Sequence, residues 1–370
     1  MMRSSGREAG RIGVLGGGQL GRMLALAGYP LGLRFRFFDT AADAPAGQLA
    51  ELQVGAYHDE RALERFAQDL DLITYEFENV PVEAARFLQR LAPVYPPPQA
   101  LEAAQDRVVE KTFFRGLGIP TPPFHPVLTR NDLLDALEQV GYPALLKTRT
   151  LGYDGKGQAQ IETAADADRA WEELGGRPLV LEAWVGFERE VSILAARGRN
   201  GEMVFYPLVE NLHQQGILRR SLAPAPGLSP TLQAQAEEYA RRVLLQLEYV
   251  GVLALEFFQV DGELLANEMA PRVHNSGHWS IEGAETGQFE NHLRAVCGLP
   301  LGSTAPREYS AMLNLIGKLP PIKDVLAVPG AHLHLYGKEP RPGRKLGHVT
   351  LRAESREELE GRLRILWGLL

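Results

Sequence analysis

Three glutamates, two asparagines, an arginine and two histidines crowd into residues 255–279, LEFFQVDGELLANEMAPRVHNSGHW. Residues 252–260 are apolar and aromatic, Asp261-Gly262 is a turn signal, and residues 264–269 run back as a second strand. Glu256 and Glu268 therefore stand in strands whose other side chains demand burial. An ionised carboxylate there is costly unless it is paired or bound to a cation, so two of them suit a hard metal, Mg²⁺ holding phosphate oxygens. The plainer alternative is a pair of surface glutamates on the polar face of an edge hairpin. Strand geometry separates the two readings. A two-residue Asp261-Gly262 loop pairs Val260 with Glu263 and sends the two glutamates to opposite faces; a three-residue loop over 261–263, or a bulge, brings them together. The metal reading requires one of those two devices.

Composition limits what such a site can serve. With 370 residues, 45% of them hydrophobic and 23% charged, the chain is long enough for two or three soluble globular domains. A net charge of −7, with no lysine and arginine stripe interleaved with aromatics, argues against a nucleic-acid partner and for a small substrate. Cys297 is the only cysteine. It allows neither a disulfide framework nor a thiolate metal site, which fits a reducing cytoplasm. No apolar run approaches the ~20 residues of a membrane span, and residues 1–10 lack the apolar core of a signal peptide.

The elements that must position the chemistry read in order. Residues 11–15 form a short apolar strand, Gly16-Gly17-Gly18-Gln19-Leu20-Gly21 a G-x-G-x-x-G turn, and residues 19–27 a helix. Asp39 follows the next strand (33–38) about where a dinucleotide fold keeps its ribose-binding acid, so a nicotinamide cofactor is one reading; the same turn suits any phosphate at a helix N-terminus. Residues 72–75 make a third strand with Glu76 and Glu78 just beyond it, where ligands gather in parallel sheets, although both can be solvated loop acids. Pro93, Pro96, Pro97 and Pro98 mark a junction. Residues 101–118 are read as one helix with Arg107 and Lys111 a turn apart. A strand over 142–147 ends in Lys147 and leads into Gly152, Tyr153, Asp154, Gly155, Lys156, Gly157 and Gln158. That loop can lay backbone amides over a polyphosphate, with Lys147 as a point charge, but it lacks the spacing of a Walker loop. Further on stand Glu182-Ala183-Trp184-Val185, Glu190, His213 and, between two late strands, the basic turn Arg341-Pro342-Gly343-Arg344-Lys345.

Taken together, this order of motifs resembles the ATP-grasp superfamily, and within it the N5-carboxyaminoimidazole ribonucleotide synthetase family. The residues that carry the resemblance are GGGQLGRML (16–24), GYDGKGQ (152–158), NLHQ (211–214), NEMAPRVHNSGHW (267–279) and RPGRKLG (341–347). Lys156 stands where some members carry arginine, and Gly17 where some carry asparagine. The resemblance implies an α/β and α+β architecture: a Rossmann-like pre-ATP-grasp domain over 1–100, an ATP-grasp domain over 101–298 with a lid near 120–185, and a small β-rich C-terminal domain over 299–370. It implies an ATP site of Arg107, Lys147, the loop Gly152 to Gln158, Glu182, Ala183, Trp184, Val185, Glu190, His213, Asn267 and Glu268, with Mg²⁺ on Glu256 and Glu268. Bicarbonate and aminoimidazole ribonucleotide would meet Glu76, Tyr153, Asp154, Lys156, Arg272, His274 and Asn275, and Gln19 and Leu20 would hold the ribotide in place of a nicotinamide. Lys345 and Arg341 would reach its phosphate.

The implied reaction is phosphorylation of bicarbonate to carboxyphosphate and carboxylation of the ribotide amine, in a homodimeric cytoplasmic enzyme. Arg272 or Lys156 would stabilise the anionic intermediate, and Asp154 or His274 would take the proton. Two rivals stand beside this reading. One is another ATP-grasp ligase acting on a ribotide amine, such as one that uses formate; the other is a nucleotide sensor without turnover, against which Lys147, Glu256 and Glu268 argue.

Overall fold

The computed structural model describes residues 10–152 and 155–370. The run Ile12-Gly13-Val14-Leu15 has no polar face to turn to solvent, and it becomes an inner strand. That strand, β1 (Arg11–Leu15), lies in a parallel sheet with β2 (Arg34–Asp39), β3 (Glu51–Val54) and β4 (Leu72–Tyr75), in the order β3-β2-β1-β4. The helix Gln19–Gly28 sends Leu20, Met23 and Leu24 against Ile12, Val14 and Phe37 on one side. Val82–Gln89 sends Phe87 and Leu88 against Leu15, Ile73 and Tyr75. The C-terminal ends of β1 and β4 are left side by side, which is where Gly16 and Glu76 meet.

A second sheet is antiparallel: β5 (Phe124–Val127), β6 (Ala144–Thr148), β7 (Gln158–Ile161) and β8 (Leu179–Ala183), in the order β5-β8-β6-β7. With the helices Arg130–Val140 and Asp166–Leu174 it encloses a core of its own, including Leu133, Leu137, Leu146, Ile161 and Leu181.

The third sheet gathers β9 (Arg189–Arg197), β10 (Met203–Phe205), β11 (Val209–Gln214), β12 (Ile217–Ala223), β13 (Gly251–Val260), β14 (Glu263–Ala270), β15 (Tyr309–Ile316), β16 (Ala331–Leu335) and β17 (Lys345–Ala353). Alternation along β9 feeds two cores. Val191, Ile193 and Ala195 meet the helix Pro230–Gln246, whereas Leu194 and Ala196 join Phe289 and Leu293 of the helix Gln288–Cys297 and the core beneath Gln19–Gly28. The parallel sheet and the large sheet thus share apolar interior. Pairing of β15 with β12 makes the C-terminal strands an extension of the large sheet, and Leu359, Leu363 and Leu366 of the helix Arg356–Leu369 pack on them.

The single helix expected over 101–118 is two, Pro98–Gln105 and Arg107–Gly116. Asp106 breaks it. Its backbone is extended, and its side chain accepts from Val108 N–H (2.9 Å) and Val109 N–H (3.3 Å), capping the second helix. The same carboxylate holds Arg149, at the end of β6, through its Nη2 (2.7 Å).

Candidate active site

The two expected glutamates face each other, by a route the sequence left open. The turn is the two-residue Asp261-Gly262, with φ of +49° and +78°, and Val260 pairs with Glu263. Farther along, Phe257 pairs with Ala266 but Glu256 pairs with Glu268, so Asn267 is the extra residue of a β-bulge. That one inserted residue restores the shared face. The helix Arg107–Gly116 secures the bulge, because Lys111 Nζ donates to Asn267 O (3.1 Å) and Met269 N–H donates to Glu110 Oε1 (2.6 Å). Burial first, then the Glu268 carboxylate, push the Glu256 carboxyl up to about 7. Burial would raise Glu268 as well, but Arg107, donating to it at 3.0 Å, holds it below the ordinary range.

Both carboxylates open onto a cavity of about 1430 Å³ bounded by all three sheets. At one end lies the glycine turn of β1. Gly18 N–H donates to Glu76 Oε1 (2.6 Å), Gly21 N–H to Glu76 Oε2 (2.8 Å) and Gly17 N–H to Asp39 Oδ2 (2.6 Å). A Cβ on Gly18 would stand 2.4 Å from Glu76 Oε1, and Gly16 adopts φ +96° with an added Cβ 2.5 Å from Glu76 Cγ, so the turn needs glycine in order to accept this carboxylate. Two acids of the chain itself occupy the amides a dinucleotide pyrophosphate would use. Asp39, the expected ribose ligand of a nicotinamide site, is one of them. Gln19 and Leu20 remain on the cavity wall.

At the other end, Lys147 Nζ donates to Glu182 Oε2 (2.9 Å), and Lys111 Nζ lies 3.4 Å from Glu182 Oε1. Burial alone would raise the Glu182 carboxyl, but Lys147 and Lys111 hold it at about 2. Burial lowers Lys147 from its usual value, and Glu182 opposes that shift. With the Glu182 side chain committed to cations, its strand can offer a ligand only backbone. The N–H groups of Ala183 and Trp184 already donate to Pro123 O (2.9 Å) and Pro143 O (3.3 Å), so Val185 holds the N–H that faces no acceptor among the described residues. Arg107 bridges Glu268 and Gly152 O (3.3 Å). Glu190 is hydrogen-bonded to His213 Nδ1; burial lowers that imidazole, and Glu190, Glu256 and Glu268 together outweigh burial and raise it. Phe187 and Phe258, ring centroids 4.9 Å apart, stack beside them.

Between these ends stands the segment after β14. Arg272 Nε and Nη2 both contact Glu78 Oε2, and Arg272 Nη1 donates to Val273 O (2.9 Å). His274 Nδ1 lies 2.9 Å from Ser276 Oγ, and its Nε2 is 3.4 Å from Glu256 Oε1. Burial and then Arg272 hold this imidazole well below its ordinary value, so it is neutral, and the approach to Glu256 is a contact between groups and not an ion pair. Asn275 is on the same wall. The basic turn, tightened at Gly343 (φ +74°), lines the cavity from Arg341 to Lys345, and Lys338 reaches Gln19 Oε1 from the same side.

The cavity therefore gathers Gln19, Leu20, Glu76, Arg107, Lys147, Gly152, Gly155, Lys156, Gln158, Glu182 to Val185, Glu190, His213, Glu256, Asn267, Glu268, Arg272, His274, Asn275, Arg341 and Lys345. Gly157 is not on its wall: its carbonyl accepts from Thr148 N–H (2.8 Å), and an added Cβ would meet Thr148 Oγ1 at 2.7 Å. Tyr153 and Asp154 lie outside the described residues. Sequence reasoning did not assign Glu78, Glu110, Lys111, Arg149 or Lys338 to the site. Glu78 carried a signal in its place just beyond a parallel strand, and Glu110 and Lys111 another, adjacent charges on a helix face that also presents Phe114 to the core.

Fold and site define an ATP-grasp enzyme, and residues 112–289 match the ATP-grasp domain model. Residues 10–105 match the ribonucleotide synthetase preATP-grasp domain and residues 310–362 the phosphoribosylaminoimidazole carboxylase C-terminal domain. The chain belongs to the N5-carboxyaminoimidazole ribonucleotide synthase family. It is 56% identical to the Pseudomonas aeruginosa enzyme of that name over 353 residues, 95% of this chain and 97% of the relative. The crystal structure of the Thermus thermophilus synthetase superposes with a TM-score of 0.94 at 66% identity, covering 97% of this chain and 98% of the other. The Aspergillus clavatus enzyme, solved in complex with ADP and 5-aminoimidazole ribonucleotide, superposes with a TM-score of 0.91 at 33% identity, covering 98% of each chain.

Proposed function

We propose that the cavity binds ATP, bicarbonate and 5-aminoimidazole ribonucleotide and joins them in two steps. A bicarbonate oxygen attacks the γ-phosphorus of ATP, giving carboxyphosphate and ADP. The exocyclic amine of the ribotide then attacks the carboxyl carbon, the bond from carbon to the bridging oxygen breaks, and inorganic phosphate leaves as the amine nitrogen loses a proton. Bicarbonate is a poor electrophile, and phosphorylation turns its hydroxyl oxygen into a leaving group. The observation that carries this reading is the bulge at Asn267, which sets Glu256 opposite Glu268 in a cavity shared with Lys147, Arg272 and the basic turn.

The roles follow the charges. Lys147 and Arg107 meet the ATP phosphates, with the loop residues Gly152, Gly155 and Lys156 beside them on the cavity wall. The free N–H of Val185 and the ring stack of Phe187 and Phe258 receive the base, while Glu190, fixed by His213, receives ribose hydroxyls. Among the described residues no group of three or more histidine, cysteine or acidic side chains forms a protein-only metal cage. Two facing carboxylates that repel each other do fit Mg²⁺, which keeps waters and phosphate oxygens in most of its coordination sphere. Glu256 and Glu268 would hold the ion, and bound there it would offset charge on the transferring phosphoryl group. Arg272 steadies the carboxyphosphate anion. Of the two candidate bases, Asp154 and His274, the His274 imidazole is neutral and stands beside Arg272, where burial and that guanidinium weaken it as a base. Gln19, Leu20 and Glu76 seat the ribose, and Lys345, Arg341 and Lys338 meet its phosphate.

The three matched segments support a division into units 1–100, 101–298 and 299–370. A buried single thiol accords with a cytoplasmic location, and the family resemblance points to a homodimer; no described helix is long and apolar enough to cross a membrane. The test is phosphate release with ATP, bicarbonate and ribotide each omitted in turn. Full release requires all three, and product formation from formate in place of bicarbonate would overturn the assignment.

A further inference from the structure

We infer that Glu78 is a positioning residue for the carboxylation chemistry, holding Arg272 so that its remaining donors face an anion in the cavity. The inference rests on the bicarbonate reading given above. Glu78 comes from the loop after β4 and Arg272 from the loop after β14, so the pair joins the parallel sheet to the large sheet at the cavity wall. The loop carrying Glu78 is itself fixed. Gln105, at the end of the helix Pro98–Gln105, donates through its Nε2 to Glu78 O (2.8 Å) and to Val80 O (2.7 Å).

A guanidinium has five N–H donors in a rigid plane. Glu78 takes one on Nε and one on Nη2, and Val273 O takes one on Nη1. One donor on each terminal nitrogen is then unassigned among the described residues, a fork suited to two oxygens of a planar carboxylate. Without Glu78 the Arg272 side chain would keep its charge but lose the contact that sets its plane. Burial would raise the Glu78 carboxyl, yet Arg272 holds it at about 2, so the pair stays ionised across the working pH range. Reading Glu78 as a solvated loop acid overlooks this arrangement.

The full-length protein is assayed for initial rates of ribotide-dependent phosphate release, first unaltered and then as Glu78→Ala, Glu78→Gln, Arg272→Lys and Glu78→Gln with Arg272→Lys. If the unaltered protein shows no bicarbonate-dependent release, the functional reading fails. With that activity present, Glu78→Ala should raise the Michaelis constant for bicarbonate, or lower kcat, about ten- to a hundred-fold, the loss expected when hydrogen bonds between charged groups are removed. The Michaelis constant for ATP should stay within about twofold. Glu78→Gln, which keeps an acceptor oxygen, should fall between the unaltered protein and Glu78→Ala. Because Glu78 acts through Arg272, Glu78→Gln should cost nothing further once Arg272 is lysine. Fully additive losses, an equal rise in all three Michaelis constants, or a lower Michaelis constant for bicarbonate in Glu78→Gln would each overturn the inference. The last result would mean that Glu78 competes with bicarbonate for Arg272.

Discussion

Glu256 carries a cost in the metal-free protein that a neutral replacement should abolish. Burial and the facing Glu268 move its carboxyl from 4.5 to about 7, while Arg107 keeps Glu268 ionised. Below pH 4.5 folded and unfolded chains both hold the proton, and this group does not distinguish them. As the pH rises toward 7 the unfolded chain releases the proton and the folded protein retains it, so stability falls with pH. At 1.4 kcal/mol per tenfold, the gap amounts to about 3 kcal/mol above pH 7. Glu256→Gln keeps the shape and removes the titration. Unfolding entropy of roughly 2.1 cal/mol/K per residue converts that gain to a melting midpoint about 4 °C higher at pH 8, with little difference at pH 5. The variant should nonetheless release no phosphate, and added Mg²⁺ and ATP should raise the midpoint of the unaltered protein far more than that of the variant. Differential scanning calorimetry at both pH values, with and without the two ligands, reads all of this. Equal midpoints at pH 8, or a variant destabilised alike at both pH values, would refute the claim that these carboxylates repel each other across the hairpin.

Lys345→Ala should raise the Michaelis constant for the ribotide about ten- to a hundred-fold, since charge-assisted bonds to a phosphate contribute roughly 1.5–3 kcal/mol, and should leave that for ATP unchanged. A rise for ATP alone would remove the basic turn from the ribotide site. NADH titration followed by fluorescence should show no saturable binding, because Glu76 and Asp39 already occupy the glycine amides. Glu268→Gln should fold normally, by circular dichroism, and lose phosphate release; normal turnover would exclude Glu268 as a metal ligand.

How far the sequence reaches is clearest at the hairpin. Asp261-Gly262 announced its turn correctly, because both residues tolerate positive φ, and parity then demanded some further device to bring Glu256 and Glu268 together. The identity of that device was not legible. The bulge at Asn267 is secured by Glu110 and Lys111, more than 150 positions away in the chain, and local propensity carries no trace of such partners. The motifs at strand ends were readable one by one: the glycine turn follows β1, and Lys147 and Glu182 stand next to the last residues of β6 and β8, antiparallel strands of another sheet whose register puts both side chains on one face. The position of Glu78 was readable but its role was not, and Lys338 was not readable at all, since each matters through a partner from another sheet or its connecting loops. The break at Asp106 was readable in principle. An aspartate followed by a helical stretch is a capping signal, and the expectation of one continuous helix passed over it.

The central claim is that bicarbonate is activated by phosphorylation in this cavity, and oxygen transfer tests it most directly. With ¹⁸O-labelled bicarbonate, unlabelled ATP and the ribotide, the bridging oxygen of carboxyphosphate originates in bicarbonate and leaves with phosphorus. The account predicts inorganic phosphate carrying one ¹⁸O atom per turnover, read by mass spectrometry or by the isotope shift in its phosphorus resonance. Turnover that releases unlabelled phosphate, before bicarbonate has exchanged with water, would contradict it.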